Sequence, residues 1–424
     1  MNENSNIFTN KKILIYGLGK SGLSSLNFLK KKKNKIFLYD DKKKNSIIIK
    51  QIKNFHFDAI IISPGIDINK CKLSKFLKKN LKIIYTDLDV FYSFNENQCI
   101  TITGTNGKST TCQLLYKVLK KQNMDVKLGG NIGKPILSIE NFSKKTIFII
   151  EASSYQLEYS KLFKSKYAVI LNISPDHLER HKTIEKYISA KFKLIQNQSK
   201  NSLAFINKND ARIMSKIKKI KYQSKIILVD TNFRDKLLNE IKNKNFLSGS
   251  NIENLLFVIR LSKFFNIKKK LLIETVKNFK GLIYRQQIIF KNKNLLIIND
   301  SKSTSYSSSI QILKEKKNIY WLVGGIPKKG DNFSLPKNYY KNIKGYIFGK
   351  NQKKFLLDLR NKIKIKNFLS LKDAWIMLNQ DIKNDKSKHK TILFSPAAAS
   401  FDNFKNFEER GKYFNKLIKK YKSD

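Results

Sequence analysis

The chain has 424 residues, 41% of them hydrophobic, 28% charged and 12% aromatic, a composition that argues against disorder. Lys and Arg number 85 against 32 Asp and Glu, giving a formal net charge of +53. The lysines run through every segment and no RNA-binding aromatic motif, zinc-finger spacing or basic region with heptads goes with them, which argues against specific nucleic-acid binding and leaves only weak attraction of polyanions at low salt.

Cys71, Cys99 and Cys112 form no CxxC pair and no disulfide framework, as suits a reducing compartment. The segment "MNENSNIFTNKK" lacks the apolar stretch of a signal peptide, and no apolar run approaches the roughly 20 residues of a membrane span. A cytoplasmic protein without membrane insertion is expected.

Short strand-like apolar runs alternate with longer helical patterns throughout, which predicts an α/β protein with parallel sheets. The strand–loop–helix pattern restarts near residues 95 and 282, so three segments are expected: 1–94, 95–281 and 282–424. At roughly 100–200 residues per domain, two to four domains are expected for this length.

The first segment opens with a strand, Ile13 to Tyr16, running into Gly17-x-Gly19-x-x-Gly22, with Lys20 and Ser21 at the start of a helix. A second strand ends at Asp40, where an acidic residue commonly holds a ribose hydroxyl. Glycines let a backbone approach phosphates, and the helix N-terminus offers amide donors. Three readings stand: a dinucleotide cofactor, another nucleotide diphosphate, or glycines that merely pack. A third strand ends in Ser63-Pro64-Gly65, either a ligand contact at a strand end or an ordinary turn.

The second segment begins with the strand "CITIT", then Gly104-Thr105-Asn106-Gly107-Lys108-Ser109-Thr110, then a helix with Cys112, Leu115, Val118 and Leu119 on one face. The loop is shorter than the usual phosphate loop but keeps its parts. Amides can cradle phosphates, Lys108 can reach the β and γ oxygens, and Ser109 can ligate Mg²⁺, so ATP binding is predicted. "TIFIIEASSYQLE" is a strand delivering Glu151 to its end, a place for a second metal ligand or a helix-capping acid, followed by Ser153 and Gln156. "YAVILNISPDHLERH" is another strand, leading to Asp176 and His177, and a His beyond a strand end of an ATP-binding sheet reads as a site residue. In "TIEKYISAKFKLI", Lys191 shares a helical stripe with Ile184, Tyr187, Ile188 and Ile195. It either snorkels to water or is buried and must lose its charge or gain a partner.

In the third segment "IYWLVGG" and "TILFSPAAAS" are strands that end in small residues and leave room for a ligand. Lys302, Lys328 and the adjacent Lys329 are candidates to meet an acidic substrate or ATP phosphates.

Together "GTNGKS", "GGNIGKP" (129–135), "EASSYQLE" and "PDHLERH" resemble motifs of the Mur ligase family, cytoplasmic enzymes that add amino acids to the UDP-muramic peptide of bacterial peptidoglycan. The resemblance runs over essentially the whole chain. It implies three consecutive domains: a Rossmann-like N-terminal domain for the UDP substrate, a central P-loop ATPase domain with a mainly parallel sheet, and a Rossmann-like C-terminal domain for the amino acid. "LSGSNIENL" (247–255) is similar to the element near the adenine, carrying Asn251 and Asn254, with Ser250 where His is usual. "FKGLIYRQQ" (279–287) is similar to the element with a phosphate-contacting arginine, here Arg285, preceded by Tyr284 in place of His. "NDSKSTS" (299–305), "GGIPKKGDNF" (324–333) and "SPAAASFDNFKNFEERG" (395–411) resemble the D-glutamate-adding member, with Ser305 and Ala398 departing from its common Asn and Cys. The absence of an Asp-Asn-Pro-Arg motif disfavours the diaminopimelate-adding relative.

By that resemblance the reaction joins D-glutamate to UDP-N-acetylmuramoyl-L-alanine through an acyl phosphate made from ATP, with Mg²⁺ as cofactor; a monomer is expected. Lys108, His177, Lys191 and Lys302 are implied as catalytic. The ATP residues are Gly104 to Thr110, Asn251, Asn254, Arg285 and Asp300. Gly17, Gly19, Lys20, Ser21, Asp40, Ser63, Pro64, Gly65, Asn131, Ser153, Gln156 and His177 would hold the UDP substrate. Thr304, Lys328, Ser400 and Phe407 would bind D-glutamate. Ser109, Glu151, His177 and Lys191 as its carbamate would hold metal. The alternatives are another amino-acid-adding member, a folylpolyglutamate synthetase, a basic nucleic-acid-binding ATPase and a nicotinamide dehydrogenase.

Overall fold

The computed structural model describes residues 6–42, 49–232, 236–241, 243, 246, 250–328 and 330–423. Lys329 and residues 247–249 of the adenine-type element lie outside that set, and so does the side chain of Ser250. The chain divides into two compact units. One comprises Met1–Ile173, Glu185–Lys242 and Glu253–Lys277, the other Ser174–Ile184, Asn243–Ile252 and Asn278–Asp424.

The first unit holds two parallel sheets. The smaller contains β1 (Lys12–Tyr16), β2 (Lys35–Tyr39), β3 (Ala59–Ile62) and β4 (Ile84–Tyr85) in the order β2-β1-β3-β4. Ile13, Leu14, Ile15 and Tyr16 are all fully buried, as a continuous apolar run must be when helices cover both faces of a parallel sheet. The larger contains β5 (Cys99–Thr103), β6 (Val126–Gly130), β7 (Ile147–Glu151), β8 (Tyr167–Ile170), β9 (Leu203–Asn207) and β10 (Lys225–Val229) in the order β10-β9-β8-β5-β7-β6. β5 lies between β7 and β8, so the order reverses there. The C-terminal end of β5 is therefore the switch point at which open α/β sheets bind ligands.

The second unit is built on β11 (Gln287–Lys291), β12 (Leu295–Asn299), β13 (Ile319–Gly324), β14 (Ile343–Phe348), β15 (Lys364–Phe368) and β16 (Lys390–Phe394), ordered β11-β12-β16-β13-β14-β15. Here the all-parallel expectation is refined. β11 pairs antiparallel with β12, because the few residues between Lys291 and Leu295 allow a hairpin but not the crossover a parallel pair needs. The other pairs are parallel, and β12, β13 and β16 all end on one edge with Asp300, Gly325 and Ser395. Trp321, Tyr306 and Phe333 pack ring against ring within the core of this unit.

Among the described residues, no helix is long and apolar enough to cross a membrane.

Candidate active site

The β5 loop is the best-defined part of the site. It leaves the strand at Gly104 and enters the Lys108–Lys121 helix at Gly107, whose φ of +82° is a left-handed conformation that favours glycine. The helix is fixed by the face read from its sequence, since Cys112, Leu115, Val118 and Leu119 are fully buried. Among the described residues no side chain caps its N-terminus, and the N-terminal end of a helix favours an anion.

Glu151 arrives at the end of β7, in register with Ile102 of β5. Its buried carboxylate accepts from Ser109 Oγ at 2.6 Å and from Asn131 Nδ2 at 2.8 Å. The capping reading of Glu151 therefore loses, because the helix beyond it is capped by Ser153, whose hydroxyl accepts from the Gln156 amide. A serine hydroxyl beside a carboxylate is a hard oxygen donor pair, which fits Mg²⁺. Asn131, expected among the UDP residues, lies on this carboxylate. Gln156, expected there too, is buried, with its amide nitrogen 3.3 Å from Asp87 Oδ2 and its carbonyl accepting from Ser153. Burial pushes the Asp87 carboxyl up to about 6.

Lys191 is 1% exposed, so the buried alternative holds. Its ammonium donates to the Gly104 carbonyl at 2.9 Å and stands 4.6 Å above the Tyr187 ring. Lys108 donates to the same carbonyl and to that of Thr105, both at 2.8 Å. Two lysines thus hold the loop from its carbonyl side. Asn254 reaches the loop at Gly107, and Asn251 lies nearly one turn earlier on the Ser250–Phe264 helix.

At the end of β1 the glycines pack tightly. A Cβ on Gly22 would stand 1.9 Å from the Gly17 carbonyl oxygen, which also accepts from Ser63 Oγ at 2.6 Å. Asp40 accepts from the Leu18 amide at 2.7 Å and the Lys42 amide at 2.9 Å, so the acidic residue braces the glycine turn. Gly19 caps the Lys20–Lys30 helix, where Ser21 also lies, and neither Gly19 nor Gly65 has a neighbour among the described residues where a Cβ would stand; Pro64 and Gly65 form the turn after β3.

In the second unit, His177 has a left-handed φ of +56° and stands between two carboxylates, 3.4 Å from Asp176 and 3.5 Å from Glu179. Asp176 is also 2.5 Å from the Lys328 ammonium. Along the sheet edge, Lys302 lies 4.2 Å above the Phe407 ring and Arg285 6.0 Å from its centroid. Ser400 is buried and Thr304 half-buried. Burial pushes the Asp300 carboxyl up to about 7, against hydrogen bonds from the Gln286 amide and Ser395 and the nearby charges of Arg285 and Arg410.

Residues 102–275 match the Mur ligase middle domain, and residues 11–85 match the Mur ligase MurD-like, N-terminal domain. The chain is 33% identical to a UDP-N-acetylmuramoylalanine--D-glutamate ligase of Rickettsia felis, over 98% of each. It is 34% identical to the same-named protein of Rickettsia prowazekii, over 98% of this chain and 99% of the relative. The chain belongs to the Mur ligase family. Among solved Mur ligases, MurF from Acinetobacter baumannii superposes with a TM-score of 0.61 at 16% identity, over 78% of this chain and 79% of that one. MurF from Thermotoga maritima in complex with ADP gives 0.59 at 14% identity, over 99% and 97%. At such identities the likeness is one of fold.

Within this Mur ligase, some site-forming residues escaped the sequence reading. Asn172 supports the phosphate loop: its carbonyl accepts from the Thr105 amide at 2.9 Å and its side chain from the Asn106 amide at 2.8 Å. Its place just past β8 was the available signal. Arg410, fully buried, donates from Nη2 to the carbonyls of Ser301 at 2.7 Å and Ala398 at 2.9 Å, tying the ends of β12 and β16 together. A chain of hydroxyls, Ser303 to Ser309 to Ser395, leads to Asp300. In a chain so rich in polar residues, none of these last stood out.

Proposed function

We propose that this chain is an ATP-dependent amide ligase adding D-glutamate to UDP-N-acetylmuramoyl-L-alanine in cytoplasmic peptidoglycan precursor synthesis, acting as a monomer. The observation that carries the reading is the glycine turn whose Ser109 meets Glu151 at 2.6 Å, in a chain similar along nearly its whole length to D-glutamate ligases. A carboxylate does not condense with an amine unaided, because its carbonyl is a poor electrophile. The alanine carboxylate oxygen attacks the γ-phosphorus of ATP, and ADP leaves. The D-glutamate amine then attacks the acyl phosphate carbonyl. Loss of a proton from nitrogen and departure of inorganic phosphate leave the amide.

Each group of residues has a part in this. The amides from Gly104 to Ser109, with Thr110 behind them, cradle the phosphates. Lys108, now bonded to the Gly104 and Thr105 carbonyls, turns to the β and γ oxygens. Asn251, Asn254, Arg285 and Asp300 complete the nucleotide site. The turns around Gly17, Asp40 and Ser63 receive the UDP portion. Thr304, Lys328, Ser400 and Phe407 receive D-glutamate, with Lys302 beside them. Mg²⁺ would be held by Ser109, Glu151 and His177, and when bound it would supply positive charge against the crowding of phosphate and carboxylate anions. Lys191 as its carbamate would be the remaining ligand, a modification that would exchange a buried cation for an anion.

The test is a phosphate-release assay with ATP and the UDP-linked acceptor against a panel of amino acids. Release that depends on D-glutamate and on the acceptor is expected. No release, or equal release with every amino acid, overturns the reading.

A further inference from the structure

Lys328 follows the end of β13, and its ammonium lies 2.5 Å from Asp176 Oδ1. The pair is well shielded, with the two side chains 15% and 11% exposed. Two other acids feel the Lys328 charge without pairing with it at contact distance: Asp331 Oδ2 accepts from the Tyr306 amide at 2.7 Å, at the start of the Tyr306–Glu315 helix, and Glu179 stands 3.5 Å from the His177 ring. Asp176 in turn accepts from the His177 amide at 2.9 Å. So the one carboxylate in ion-pair contact with Lys328 among the described residues comes from the segment carrying His177.

We infer that Asp176 is a resident carboxylate that occupies Lys328 until the carboxylate of the amino-acid substrate displaces it, and that it thereby sets the affinity for that substrate. The inference rests on the reading of Lys328 as an amino-acid-binding residue. A single ammonium with a partner at contact distance cannot give a second anion its full attraction. An arriving carboxylate must break the resident pair or share the cation with a like charge beside it. Either way, part of the substrate's interaction is spent against Asp176. Asp176 is then a positioning residue whose removal leaves Lys328 shielded and without its contact partner, with only the more distant charges of Asp331 and Glu179 beside it, a better receptor for an acidic amino acid. A merely structural residue behaves oppositely, since its loss weakens binding.

Asp176→Asn keeps the shape and the acceptor for the His177 amide while removing the charge. KM for D-glutamate is measured on the full chain at saturating ATP and acceptor. It should fall roughly five- to thirtyfold, the range that one or two kcal/mol spans. KM for ATP should stay put, and kcat should not track the change. Glutarate, which has the two carboxylates but no amine, serves as a probe by calorimetry in the presence of the acceptor and a non-hydrolysable ATP analogue. It should bind Asp176→Asn, and equally Asp176→Ser, more tightly than the wild type. Unchanged or weaker binding of D-glutamate and glutarate in these variants, including its loss in both, overturns the inference. A wild-type protein that turns over no D-glutamate overturns the functional reading instead, so the two failures are distinct.

Discussion

Gly107→Ala tests the geometry of the phosphate loop most directly. Two costs can be worked from the structure. Alanine in the left-handed conformation at φ +82° costs about 1–2 kcal/mol, because its Cβ crowds the backbone carbonyl. Its Cβ would also stand 2.0 Å from Asn254 Oδ1 and 2.8 Å from Asn254 Cγ. Asn254 is 1% exposed, so it cannot swing aside without disturbing its neighbours, and overpacking of this kind costs about 1–3 kcal/mol. The variant should lose about 2–5 kcal/mol in urea unfolding followed by circular dichroism, and its ATP affinity should fall. The steric part can be separated by a double-mutant cycle. Asn254→Ala opens the space the new methyl needs, so Gly107→Ala/Asn254→Ala should be more stable than the sum of the single effects by about 1–3 kcal/mol. Additivity within roughly 0.5 kcal/mol, the behaviour of independent sites, would refute the contact. An unchanged midpoint for Gly107→Ala would refute the strained turn itself.

Two further outcomes follow from the buried charges. Asp300 titrates at about 7 in the folded protein against an ordinary 3.8, because burial disfavours its charged form, so the folded state binds the proton more tightly than the unfolded chain. Stability should therefore fall as pH rises from about 4 to 7, and Asp300→Asn, permanently neutral, should flatten that fall. A pH profile equally steep in the variant would sink this assignment. Lys191→Ala should abolish most turnover and regain part of it when short carboxylates such as formate or acetate enter the vacated space. Undiminished turnover in the variant would dismiss the carbamate role.

How far the sequence can be read depends on whether a feature is local. The phosphate loop was legible because strand, turn and helix are contiguous, and each obeys its own rule: a buried apolar run, glycines where the backbone turns, and one apolar helix face. Glu151 was legible for the same reason, as the last residue of a buried strand. Lys191 was half legible. Its position in an apolar stripe pointed inward, but only the fold put the Gly104 carbonyl, 87 positions away, against its ammonium. The antiparallel β11 was missed because apolar alternation does not show direction; the short turn after Lys291 does.

From the order of residues alone came the α/β class, the succession of strand–loop–helix segments and the strand–turn–helix geometry of the β5 loop. These depend on periodicity and backbone preference, which act between near neighbours. Tertiary structure alone decided which polar groups meet: Asn131 on Glu151, Asp40 on its own glycine turn, Arg410 across two strand ends, and Asp176 on Lys328, 152 positions apart. A hydrogen bond or ion pair needs its partners within about 3 Å. In a chain with 85 basic residues, composition offers many possible partners for every acid, and only packing selects one.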